Sequence, residues 1–186
     1  MNPSSHLQLL AHYNQWMNRK LFASAADLTG EALTMNRGAF FGSILGTLNH
    51  LAVGDTIWLN RFAQHPECSA TLRPVTERPQ PKALDEVMFT DLPSLQAYRE
   101  WLDEMIIQFT ASVGDELLAS SLSYSNTKGV RSTRNLHALL THFFNHQTHH
   151  RGQVTTLLFQ AGIDPGSTDL LTLIPLLMPD SDQEPT

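Results

Sequence analysis

Nine histidines are the chemical feature of this 186-residue chain, and five of them crowd between His137 and His150. An imidazole can ligate a divalent metal, move a proton near neutral pH or hydrogen-bond within a core, so its placement decides its chemistry. Wound as a helix, the segment puts Leu136, Leu139, Phe143, Val154 and Leu157 within about 40° of His150, on one apolar stripe. His146 falls about 40° from His150 and one turn earlier, so the two imidazoles can share one ion. His142 and His149 lie on the flank, roughly 80–100° away, and His137 lies on the far side. His142, His146 and His150 together span about 12 Å of helix axis, whereas nitrogens on one ion stand within roughly 4 Å of each other. A third ligand from another helix is the better geometry.

His50 is that candidate. It is flanked one turn either side by Gly46 and Gly54, whose missing side chains would let a helix or an ion approach closely. Asp55 lies about 140° around the same helix and is not expected to share an ion with it. Two readings of His50, His146 and His150 stand together: three ligands of one divalent metal, or three hydrogen-bonded core histidines. Burying three imidazoles without partners would cost free energy at every unmet polar atom. His6, His12, His65 and His137 read as surface residues, and His149 either as a residue of the site's rim or as one that hydrogen-bonds a ligand. Cys68, beside Pro66, reads as a loop thiol, and the three tryptophans do not form a cofactor box. No GxGxxG, Walker loop, GxSxG or HExxH occurs, so nucleotide binding, serine hydrolysis and zincin proteolysis lack their usual signals.

Four long helices would position these residues. The first is expected from a cap at Ser4 or Ser5 to about Leu28, with Leu7, Leu10, Tyr13, Met17 and Leu21 on one stripe and Asn14 inside it. A second runs from about Phe41 to Gln64 and is apolar over more than half its circumference, as in a well-buried helix. His65–Asp91, with four prolines and few apolar positions, reads as a long loop or crossover. A third helix, capped near Asp91 with Pro93 in its first turn, carries Leu95, Tyr98, Leu102, Met105, Ile106 and Phe109. A small hairpin is expected within Ser121–Arg134. The fourth helix runs from about Ser132 to Ala161, with Gly162 closing it. The expected architecture is all-α, a single four-helix bundle over residues 1–178 with a crossover connection, and a fraying tail over 179–186.

Composition narrows the partners. Hydrophobic residues make up 41% and charged residues only 16%, so disorder is not expected. The formal net charge of −6 argues against a nucleic-acid backbone as partner. One cysteine excludes an intramolecular disulfide framework. No export signal opens the sequence, so a cytoplasmic location is expected. The apolar run Leu170–Met178 is about half the length needed to span a bilayer and contains Pro175, so no membrane span is expected. That run is too apolar to lie exposed and is expected to pack on the bundle or on a partner.

The string His146-Gln147-Thr148-His149-His150-Arg151-Gly152-Gln153 resembles the signature of the DinB-like metalloprotein family, within the wider DinB/YfiT-like superfamily. His12–Asn18, Leu48–Leu51 through Asp55 and Trp58, and Pro165–Leu170 match it as well, so the resemblance covers nearly the whole chain. It implies a four-helix bundle, usually dimeric, holding a divalent metal, Ni²⁺ or Zn²⁺, on three histidines that carry over onto His50, His146 and His150. It also implies a metal-dependent enzyme of the thiol S-transferase or isomerase type. Such relatives act on a small-molecule substrate with a low-molecular-weight thiol such as bacillithiol or mycothiol. The alternative is a non-catalytic metal-binding stress protein in which the ion stabilises the bundle or dimer. A fourth protein ligand would favour that alternative, whereas an open position favours catalysis. Asn14 is expected either to be a hydrogen-bonded core amide or to contact the site, and Gln147 to hydrogen-bond a ligand histidine.

Overall fold

The computed structural model describes residues 2–126 and 128–176, and its elements are predominantly helical. Helix α1 spans Pro3–Ala26, α2 Gly30–Thr34, α3 Ile44–Phe62, α4 Pro66–Thr76, α5 Leu92–Ser112 and α6 Asp115–Leu118. Strands β1 (Ser121–Ser125) and β2 (Arg131–Asn135) follow, then α7 (Leu136–Gln160) and a 3₁₀ turn at Leu170–Leu173. All four expected long helices are present, as α1, α3, α5 and α7.

Side-chain caps fix where these helices begin. Asn2, rather than Ser4 or Ser5, caps α1: its side chain accepts the Ser5 N–H, and Pro3 takes the first helical position, where no amide donor is needed. Ser43 accepts the Gly46 N–H and starts α3 at Ile44, three residues later than the apolar pattern suggests. Asp91 caps α5 as expected, at 2.8 Å from the Ser94 N–H. Asn135 accepts the Ala138 N–H at 3.0 Å while its amide donates to the Leu118 carbonyl at 3.1 Å, welding the start of α7 to the preceding turn. Gly162, at φ +82°, closes α7 in the left-handed conformation that favours glycine.

The segment between α3 and α5 corrects the loop reading. Its first third is helix α4, which starts with Pro66 at an N-terminal position and tolerates Pro74 within it. Cys68, Leu72 and Val75, at spacings of four and three, are buried against α3 and α5. Cys68 is therefore a core thiol and not a loop thiol: it is 1% exposed, and burial pushes its pKa up to about 11. The hairpin forms as expected, antiparallel with Ser121 opposite Asn135 and Ser125 opposite Arg131. It leans on α3 through Tyr124, whose ring lies 5.5 Å from that of Trp58.

In the bundle α1 packs on α5 and α7, and α3 packs on the same two helices. Consecutive α1 and α3 thus lie across the bundle from each other, as do α5 and α7. The long connection joins the neighbours α3 and α5, so the crossings fall at the first and third connections and not at this one. Phe62, Phe109 and Phe143 meet at the centre of the core with ring centroids 5.5 and 5.8 Å apart. Of the Leu170–Met178 run, Leu170 and Leu173 are half-buried in the 3₁₀ turn that touches α1, Leu171, Ile174 and Leu176 are exposed on the single chain, and Leu177 and Met178 lie outside the described residues. The expected tail, 179–186, lies outside them too. No helix among the described residues is long and apolar enough to cross a membrane.

Candidate metal centre

Helix α3 presents His50, and α7 presents His146 and His150 one turn apart. The packing of α3 on α7 brings the three together. Close approach depends on Gly54: a Cβ there would stand 2.8 Å from Cε1 of His146, nearer than real contacts allow. Gly46, the other small neighbour, makes room for something else, the Phe41 carbonyl, which a Cβ would meet at 2.2 Å. The turn before α3 is thereby folded back over the site, and the Phe41 ring stacks on that of His50 with centroids 3.7 Å apart and planes 16° from parallel.

The ligand atoms converge. Nε2 of His50 lies 3.2 Å from Nε2 of His146 and 3.2 Å from Nε2 of His150. Nitrogens each about 2.0–2.1 Å from one ion stand roughly 3.0–3.4 Å apart, so the separations suit one divalent metal. The hydrogen bonds on the far side of the rings are equally informative. Nδ1 of His50 is 2.7 Å from the Leu84 carbonyl, and Nδ1 of His150 is 2.7 Å from Oε1 of Gln153. Both partners are acceptors, so in each ring the proton sits on Nδ1 and the lone pair on Nε2. Two lone pairs therefore face each other across 3.2 Å with no hydrogen between them, an arrangement that a shared cation relieves.

A proton is a poor substitute for that cation. Desolvation by burial lowers the pKa of all three histidines, and that of His146 falls to about 3, with the neighbouring imidazoles adding to the effect. Each ring is consequently neutral near pH 7 and ready to ligate, and acid competes for the site only below the usual histidine pKa. Among the described residues the trio is the one cluster of three or more metal-ligating side chains. No fourth ligand from the described residues joins it. Instead His50 and His150 open onto a cavity of about 540 Å³ walled by Phe40, Phe41, Leu84 and Asp85.

The other residues singled out in the sequence have different places. His142 is exposed with its edge against Trp58, and its ring is 6.2 Å from that of His146. His149 is exposed at the rim, its ring 4.9 Å from that of His150. His6 and His12 are exposed, whereas His65 and His137 are half-buried, and His65 accepts the Glu67 N–H at the start of α4. Gln147 is buried and donates to Asp55 at 2.8 Å, not to a histidine. Asn14 is the core amide, donating to Asp103 at 3.0 Å and accepting from Arg151. Asp55 stays clear of the histidines and pairs with Arg99. The residues that orient the imidazoles, Gln153 and the Leu84 carbonyl, are not among those the sequence reading assigned to the site. Gln153 carries a signal, since it follows His150 by three positions on a helix. A backbone carbonyl from a loop carries none.

No solved structure gives a significant match. Over 163 residues the chain is 28% identical to Protein DinB of Bacillus subtilis (strain 168), covering 86% of this chain and 88% of that one. The family model described as the DinB family matches residues 1–177, nearly the whole of a helical chain whose three clustered histidines could hold a divalent metal, and the chain belongs to that family.

Proposed function

We propose that His50, His146 and His150 are the protein ligands of a divalent ion, Ni²⁺ or Zn²⁺, and that the centre is catalytic, of the thiol S-transferase or isomerase type. The observation that carries the reading is the pair of Nε2 lone pairs of His50 and His150, held face to face by acceptors on both Nδ1 atoms. A divalent ion in such a site supplies Lewis acidity that lowers the pKa of a water or low-molecular-weight thiol entering the cavity. Everything else is the work of the chain. Leu84 and Gln153 fix ring orientation and tautomer. Phe41 covers one face of His50, Phe40 and Leu84 give the cavity apolar walls, and Asp85 places a carboxylate at its edge. Three ligands with open space beside them support turnover over a closed structural site. We read the protein as cytoplasmic and acting on a small molecule. A homodimer is supported by exposed Leu171, Ile174 and Leu176, which a partner would cover. With its net charge of −6 and, among the described residues, no helix suited to crossing a membrane, it is read as having neither a nucleic-acid nor a membrane partner.

Two measurements test this. Elemental analysis should find one divalent ion per chain in the wild type and little in His50→Ala; full stoichiometry in the variant would refute the ligand set. Bacillithiol, mycothiol and simpler thiols offered with an electrophilic acceptor should then give conjugates at a rate that chelation abolishes. A rate indifferent to chelation would leave a metal protein without the proposed catalytic role.

A further inference from the structure

A second cavity adjoins the histidine pocket. It encloses about 330 Å³ and shares Phe40, His149 and Gln153 with the first, so the two lie side by side between the turn before α3 and the face of α7. Their chemistry differs. The histidine pocket is walled mainly by apolar side chains, whereas the second cavity is bordered by Arg37, Thr156 and Gln160, and Arg37 is the one charged side chain among its walls. Arg37 has no carboxylate partner among the described residues. Its Nη2 donates to the Ala32 carbonyl at 3.3 Å and its Nε is buried, whereas Nη1 makes no hydrogen bond among the described residues. A guanidinium that borders a cavity without a counter-ion and keeps an Nη free is suited to pair with an oxyanion.

The turn that carries Arg37 is built to hold its shape. Gly38 and Gly42 both sit at φ +73°, where other residues are strained. The Asn36 side chain accepts the Gly38 N–H at 2.9 Å, the Arg37 N–H donates to the Gly42 carbonyl at 2.8 Å, and Ser43 closes the turn as the cap of α3. One rigid segment thus supplies the cation, the ring stacked on His50, and Phe40, which stands 85% exposed where the two cavities meet. The Phe40 ring packs edge-on against Phe41, with centroids 4.8 Å apart, and leaves the rest of its surface for a ligand to rest on.

We infer that this turn and α7 form a recognition cleft for a small amphipathic anion, whose oxyanion pairs with Arg37 and whose apolar body lies on Phe40. Its other end reaches the three histidines, and only that last clause rests on the metal-centre reading. The experiment titrates the metal-free full chain with 3-phenylpropionate, phenyl phosphate and the neutral 3-phenylpropionamide, by calorimetry or ligand-observed NMR. The anions should bind about tenfold tighter than the amide. Arg37→Gln should erase that preference, Arg37→Lys should restore part of it, and Phe40→Ala should weaken all three ligands alike. A carboxylate-only or phosphate-only response identifies which oxyanion the cleft takes. Equal affinity for anion and amide, an unchanged preference in Arg37→Gln, or no binding of any probe overturns the inference. Ni²⁺ titration of the wild type and Arg37→Gln runs alongside. Loss of Ni²⁺ binding in the wild type would defeat the metal reading while the anion preference still decides this one.

Discussion

A single methyl group at position 54 would press on Cε1 of His146 from 2.8 Å, so the geometry of the three-histidine cluster is written partly in an absent side chain. Alanine has a higher helix propensity than glycine by about 1 kcal/mol, so Gly54→Ala should leave the fold intact or stiffen α3. The added Cβ must nevertheless displace His146, turning its ring away from His50. Metal affinity in Gly54→Ala should therefore fall about tenfold or more while the unfolding midpoint of the metal-free protein holds or rises. Competition titration with a chromophoric chelator beside thermal unfolding measures both, and unaltered affinity would show that His146 contributes little. At this scale much was legible before the fold was seen. A 100° step per residue was enough to pick His146 and His150 from five neighbouring histidines, because buried faces of long helices are periodic. Gln147 misled for the same reason: the wheel places it near the core but does not say that Asp55 of α3 waits there.

Elements were legible in proportion to their apolar stripes. The long helices α1, α3, α5 and α7 announce themselves, whereas α4 hides behind Pro66, Pro74 and a polar composition, although Cys68, Leu72 and Val75 keep the helical period. Its consequence for function is indirect but definite. By spending eleven residues on a helix that packs against α3 and α5, the connection brings its remaining length back across the site, where Leu84 hydrogen-bonds His50. The buried face of α4 also makes a prediction about its thiol. Burial raises the Cys68 pKa to about 11, so the reactive thiolate stays scarce until the pH approaches that value. In the native protein Cys68 should resist a disulfide reagent such as 5,5′-dithiobis(2-nitrobenzoate) at pH 8 and react fully once denaturant is added. Rapid native reaction would mean that α4 does not pack as described, and the path by which Leu84 reaches His50 would then lose its anchor.

Across the whole molecule, a buried polar network ties the four long helices together beneath the three histidines. Asp55 of α3 accepts from Arg99 of α5 and Gln147 of α7. Arg99 also pairs with Asp103 at 3.0 Å, and Asp103 accepts from Asn14 and Asn18 of α1 at 3.0 and 2.9 Å. Arg151 of α7 completes the circuit on Asn14. Two carboxylates and two guanidiniums balance, which makes their burial tolerable, and Gln147 and Arg151 stand next in sequence to His146 and His150. The network therefore sets the register in which α7 offers its histidines to α3. Removing one partner from a buried ion pair strands the other charge, at a cost of about 3–5 kcal/mol. Asp55→Asn should accordingly lower the urea-unfolding free energy of the metal-free protein by about 3 kcal/mol. An ion bridging α3 and α7 binds the folded chain alone, so Ni²⁺ at about a hundred times its Kd should return roughly 2.7 kcal/mol to a variant whose histidines still converge. The same rescue should fail in Asp55→Asn combined with His50→Ala. If Ni²⁺ stabilises the double variant as well as the single one, the ion acts elsewhere on the surface and does not join the two helices through the three histidines.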